Sequence, residues 1–202
     1  MEERSRRIVE TAVELAEEGG FEAVRLREVA AHAGVALGTL YRRFRSKEDL
    51  LVAAMELETK DLERRMRQKP ARGETGQARV SAFFQGATKG LLRRPNLARA
   101  LVRAVASGDP ELARRVGQFH TNMEHLIVAS LRGDVPGGSE TGDAAPPSEL
   151  EQQIADTLEQ VWFALLVGWS SGRHTQAAIV EKMTVSTELV LRGAKGWKGT
   201  DG

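Results

Sequence analysis

Between Arg25 and Lys47 the chain carries six cations, Arg25, Arg27, Arg42, Arg43, Arg45 and Lys47, against one acid, Glu28. Thr39 and Tyr41 place hydroxyl groups among them. Guanidinium and ammonium groups interleaved with hydroxyls suit a phosphate backbone, because they supply charge-assisted N–H donors and neutral O–H donors on one surface. Upstream, Glu10, Glu14, Glu17, Glu18 and Glu22 have the opposite sign, so the positive charge is local. A formal net charge of +1 over 202 residues argues against a protein that coats nucleic acid everywhere and leaves room for one basic face.

The catalytic alternative has little to stand on. His120, Glu124 and His125 lie close in sequence, but a five-residue step turns about 140° around a helix, so the two histidines do not share a face. No H-E-x-x-H, P-loop or dinucleotide fingerprint occurs. His32 and His174 read as surface or turn residues, and Ser170 and Ser171 as residues of a helix end. No nucleophile is paired with a base, so the chain is not expected to be an enzyme and no cofactor or metal is implied. The absence of cysteine excludes disulfides and thiolate metal sites and fits a reducing cytoplasm. The N-terminus carries no apolar signal region, and no apolar run is long enough for a membrane span.

The elements that must position the basic residues are helices throughout; no strand alternation is long enough for a sheet. The spacing predicts helices over 5–18, 26–33, 37–44, 47–66, 77–93, 95–107, 110–131, 150–169 and 176–191. Gly19-Gly20 and Gly34 stop the first two, and Pro95 and Pro110 open later ones through their fixed φ. Ser46 is a candidate N-cap with Asp49 three residues on. Gly133 to Ser148 is too rich in Gly, Pro and small polar residues to pack, and the tail from Gly193 is expected to fray. The fold class is all-α, with a three-helix head over 1–46 and a larger helical body over 47–202.

A short helix, a glycine turn and a second short helix make a helix-turn-helix. Val35, Leu40 and Phe44 pin the third helix inward. Leu37, Gly38, Thr39, Tyr41, Arg42 and Arg43 are left facing outward, as a helix entering a major groove requires. Gly38 costs helix propensity, which a close approach to DNA would justify. Lys47 stands in the first turn of the fourth helix, where free N–H groups favour a phosphate. A sequence-blind architectural protein would use the same charges, but the near-neutral total and the short reading helix point to a sequence-specific one.

Ala30 to Leu51, "AAHAGVALGTLYRRFRSKEDLL", resembles the DNA-binding segment of the TetR family of transcriptional regulators. With Gly19 to Val29 the resemblance covers about the first quarter of the chain. It implies a homodimeric, usually repressing regulator whose third helix reads an operator and whose body binds a small inducer. Leu37, Gly38 and Thr39 match recognition positions near bases, and Tyr41, Arg43 and Lys47 match phosphate-contacting ones. Three positions depart from the pattern. Arg25 stands where Ser or Thr often opens the second helix, so a phosphate contact replaces the cap. Ala36 stands where Ser often caps the third helix, and Arg43 where His or Tyr is frequent. "RRPNLARALVRAVAS" and "VWFALLVGWSSGR" extend the resemblance to the branch of the family containing the mycobacterial cholesterol-catabolism repressor. That branch implies a bulky apolar effector such as a steroid or a fatty acyl thioester.

In the body, Phe83, Phe84, Ala87, Leu91, Leu101, Phe119, Met123 and Trp162 are the candidates for contact with such an effector. Leu150 to Trp169 is apolar nearly all round and must be covered on more than one side. Val161, Leu165 and Trp169, with Ile179 and Met183 of the last helix, are therefore candidates for a dimer interface built as a four-helix bundle. Two-fold association sets two recognition helices about 34–36 Å apart, the spacing of successive major grooves.

Overall fold

The computed structural model describes residues 3–136 and 145–196, and every regular element among them is helical. The helices are α1 (Glu3–Gly19), α2 (Leu26–His32), α3 (Leu37–Tyr41), α4 (Lys47–Gln68), α5 (Gly76–Leu91), α6 (Pro95–Val105), α7 (Ala113–Arg132), α8 (Glu149–Ser170) and α9 (Gln176–Ala194). A single 3-10 turn, Pro110–Leu112, precedes α7; Asp109 caps it by accepting the Glu111 N–H. The expected Gly-Pro-rich linker lies partly outside the described residues, at 137–144, and so does the tail at 197–202. Helix persists through Ala194, two residues into the segment expected to fray.

The chain forms two compact units, Met1–Lys60 with Leu91–Phe119, and Asp61–Gly90 with His120–Gly202. In the first, α1 packs on α6 and α2, and α2 packs on α3. Ile8, Ala12 and Ala16 recur at four-residue spacing on the buried face of α1; small residues there let another helix approach closely. The Asn96 amide donates to the carbonyls of Glu17 and Glu18, two of the acceptors left open at the end of α1. Arg94 joins the same region by an ion pair with Glu58 at 2.5 Å.

In the second unit α8 packs on α9, burying Ile154, Leu158, Leu166, Ile179 and Met183. Ser148 caps α8 through a full capping box with Glu151. Arg132 clamps this start: it pairs with both Glu151 oxygens at 2.7 Å and donates to the Ala145 and Pro146 carbonyls. That pairing holds the Glu151 carboxyl down at about 2. The end of the linker is therefore tied down by hydrogen bonds from one arginine, while Ala145, Pro146 and Ser148 stay exposed.

Candidate nucleic-acid interface

The turn between α2 and α3 is set by one residue. Gly34 adopts φ +64°, a conformation that an L side chain resists. Its N–H reaches the Ala31 carbonyl at 3.2 Å, and the Val35 N–H reaches Ala30 at 3.0 Å. That pair of bonds is a Schellman motif, which ends α2 and swings the chain into α3. Neither α2 nor α3 has a side-chain cap, since Arg25 and Ala36 occupy the cap positions.

α3 ends at Tyr41, three residues earlier than expected; the next turn tightens, with Arg43 and Phe44 both donating to the Leu40 carbonyl at 2.9 Å. Leu40 and Phe44 are buried and anchor the helix. Gly38, Arg42 and Arg43 are exposed, Leu37 and Thr39 half-buried, and Tyr41 is 50% exposed. A Cβ at Gly38 would meet nothing within 4 Å, so no packing inside the chain requires glycine there. Arg25 and Arg27 are exposed at the start of α2. Arg42 donates to Thr39 Oγ1 at 3.1 Å, which orients both side chains along one edge of α3.

Lys47 is held more firmly than its sequence position suggested. Its Nζ lies 3.0 Å from Glu22 Oε2 and 3.9 Å from the centre of the Phe21 ring. Arg103 does the same from α6, with Nη1 2.9 Å from Glu22 Oε1 and its guanidinium 3.9 Å from the same ring. Hydrogen bonding to Lys47, above all, holds the Glu22 carboxyl below its ordinary value. Arg45 pairs with Glu111 at 2.7 Å. Sequence reasoning missed Glu22 and Arg103 as partners of the basic face.

The start of α4 is braced from α7. Ser46 Oγ accepts the Asp49 N–H at 3.1 Å, and the Asp49 carboxylate accepts the Arg45 N–H at 3.0 Å. The reciprocal bond thus goes one residue beyond the cap itself. Asp49 is buried, and Arg115 neutralises it at 2.5 Å while also reaching Glu56 at 3.2 Å.

The effector candidates divide between the two units. Leu101 and Phe119 are buried in the first. Phe83, Phe84, Ala87, Met123 and Trp162 are buried in the second, where Leu91's neighbour Gly90 closes the segment. Leu91 itself is half-buried at the opening of the first unit's second segment. Phe84 gathers an aromatic cluster: its ring centre lies 5.1 Å from Phe83 and 5.9 Å from Trp162. The Trp162 indole N–H donates to the buried Thr88 hydroxyl at 2.9 Å.

A polar pair that sequence reasoning did not assemble sits in this unit. His120 Nδ1 lies 2.9 Å from Oε1 of Glu159, which is 1% exposed, and the His120 ring meets Phe163 edge-on at 5.7 Å. Contact with Glu159 raises the His120 pKa, against the opposing effect of burial. Burial, with Asp156 and Glu159 nearby, raises Glu124. The available signal was a carboxylate, Glu159, set among Leu158, Val161 and Trp162 of the most apolar helix.

Of the dimer candidates, Val161 and Leu165 are half-buried and Trp169 is buried. Ile179 and Met183 are buried within the single chain, so they have almost no surface left for a partner. The apolar surface of α9 is instead at Val185 and Leu189, 51% and 65% exposed, with Val167 exposed on α8.

A glycine-turned helix pair with an exposed five-residue reading helix defines the class: a helix-turn-helix DNA-binding transcription regulator. The family model for bacterial regulatory proteins of the tetR family matches residues 8–54, and the tetracyclin repressor-like C-terminal domain matches 73–190. The chain belongs to the TetR family. It is 31% identical over 189 residues to the HTH-type transcriptional repressor KstR of Rhodococcus jostii, covering 94% of this chain and 83% of that one. A TetR transcriptional regulator from Rhodococcus sp. RHA1 superposes with a TM-score of 0.76 at 28% identity, over 94% and 95% of the two chains. Thermus thermophilus FadR, solved in complex with lauroyl-CoA, shares the fold with a TM-score of 0.72 at 21% identity, over 98% of each chain. Among the described residues no helix is long and apolar enough to cross a membrane.

Proposed function

We propose that the chain is a cytoplasmic, homodimeric repressor that leaves its operator when a bulky, mainly apolar effector enters the helical body. Residues 1–46 act as the DNA-binding head, and 47–202 as the effector-binding and dimerising body. Leu37, Gly38 and Thr39 read bases; Arg25, Arg27, Tyr41, Arg42, Arg43 and Lys47 hold the phosphate backbone. The observation that carries this reading is the exposure of one edge of α3 beside a basic face, while Leu40 and Phe44 fix its other edge in the core. The near full-length likeness to a repressor supports repression, and the Phe83–Phe84–Trp162 cluster supports an apolar effector.

A ligand releases DNA only to the extent that it prefers a spacing of the two heads that the operator does not accept. The test is operator selection from random duplexes, followed by anisotropy titration with steroid and fatty acyl thioesters. Equal binding to selected and random duplexes would favour the architectural alternative and overturn the proposal. A selected operator that no apolar thioester or steroid releases would overturn the effector class alone.

A further inference from the structure

The first unit holds a cavity of about 710 Å³, open to solvent, lined by four arginines: Arg4, Arg42, Arg43 and Arg115. No acidic side chain is among its lining residues. Asp49 and Glu56 both bind Arg115, so they fix that guanidinium in place while offsetting its charge, and Arg4, Arg42 and Arg43 bring the cavity's remaining guanidinium groups. Arg4 comes from the first turn of α1, Arg42 and Arg43 from the turn just after α3, and Arg115 from α7. Phe44 and Ala53, both buried, add an apolar part to the lining. Ser5 lines the same cavity, is 6% exposed, and its Oγ has no hydrogen-bond partner among the described residues. A buried hydroxyl without a partner costs free energy comparable to a lost hydrogen bond, so its persistence at the wall of a cavity points to a ligand.

We propose that this cavity is a second small-molecule site, which takes a soluble anion with two or more phosphate groups, of the nucleoside diphosphate class, and that the bound anion competes with the operator. The volume falls in the range of about 300–1,000 Å³ usual for small-molecule sites, and a lone orthophosphate would leave most of it to water. Guanidiniums bind phosphate oxygens in pairs, which suits linked phosphates. A DNA duplex is too wide to enter a cavity of this volume. Thr39, Arg42 and Arg43 serve both surfaces, since they line the cavity and stand at the reading helix. An anion that draws them inward removes them from the duplex. The competition rests on the proposed DNA-binding role, but the binding itself does not.

The test is calorimetric titration of the full chain with ADP, pyrophosphate and adenosine, with ionic strength held constant by KCl. Saturable binding of ADP and pyrophosphate at one site per chain is expected, with no saturable binding of adenosine. Arg4→Ala should weaken ADP about tenfold, and Ser5→Ala severalfold, with melting temperatures unchanged. If Arg4→Ala unfolds the chain, Ser5→Ala and Arg42→Gln carry the test. Absence of saturation at millimolar ADP overturns the site, and so does binding indifferent to these substitutions. Loss of operator affinity in Arg4→Ala without any ADP binding would assign the arginines to the duplex instead. ADP bound without any rise in the apparent operator Kd overturns the competition.

Discussion

Lys47 and Glu22 are joined by a 3.0 Å ion pair across the face of Phe21, and Arg103 is joined to the same carboxylate at 2.9 Å. Lys47 is therefore partly satisfied before any phosphate arrives. Exposed pairs of this kind are weak, because solvent screens them. Glu22→Gln should release the ammonium and strengthen binding to all duplexes modestly, by no more than about fivefold. Lys47→Ala should weaken all sequences alike and make the salt slope shallower by about one. Anisotropy titration over a series of salt concentrations checks both. An unchanged affinity in Glu22→Gln would mean that the carboxylate does not restrain the lysine.

Substitutions on α3 should separate by kind. Leu37→Ala and Thr39→Ala are expected to change which sequences are selected, whereas Tyr41→Phe should weaken all of them without altering preference. Selection of binding sites from random duplexes with each variant measures this. A Tyr41→Phe variant with a new consensus would reverse the assignment.

Arg115→Met should destabilise the first unit, because it strands the buried Asp49 carboxylate. Removing one partner of a buried pair costs about 3 kcal/mol or more, so for a chain of this length the melting temperature should drop by roughly 6–12 °C. Asp49→Asn with Arg115→Met together should recover part of the loss, since no uncompensated charge is left. Thermal denaturation of the three variants decides it.

The His120–Glu159 pair makes stability depend on pH. The folded-state pKa of His120 is raised above 6.5, so its contribution is fully present below 6.5 and fades as pH rises through the folded value. The charges facing it are Glu159 and Asp156 from α8 and Glu124 from its own helix. His120→Gln should lower the melting temperature near pH 6 and bring it close to wild type near pH 9. Parallel curves for the two proteins across that range would show that the pair does not titrate.

Association should depend on the exposed part of α9. A Val185→Glu, Leu189→Glu double variant is expected to sediment as a folded monomer at micromolar concentration and to lose operator affinity. Ile179→Ala, a cavity in the protomer's own core, should instead cost about 2–5 kcal/mol of stability with association intact. Sedimentation and melting of both variants test the distinction.

Much of this architecture was legible in the residues because local chemistry sets it. Pro95 and Pro110 mark element starts, and Gly34 marks a turn that only a residue free to take positive φ makes easily. The reading helix was legible from Leu40 and Phe44, though its end was not: backbone tightening after Tyr41 has no strong residue signal. Contacts between distant segments were illegible. Arg103 and Glu22 are 81 residues apart, and periodicity gives a helix its apolar side without naming what covers it. The same limit explains α9, where Ile179, Met183, Val185 and Leu189 all read as apolar and only the first two are covered by their own chain. The Glu159 carboxylate and His120 are 39 residues apart and come together only in three dimensions.

The five-residue α3 is too short to hold itself together as an isolated helix and is kept in shape from behind by Leu40 and Phe44. Its outer positions consequently contribute little to folding. Exchanging the side chains at 37, 38 and 39 should re-aim the same scaffold at a different stretch of duplex, which makes target choice a cheap variable in the descent and redesign of such proteins.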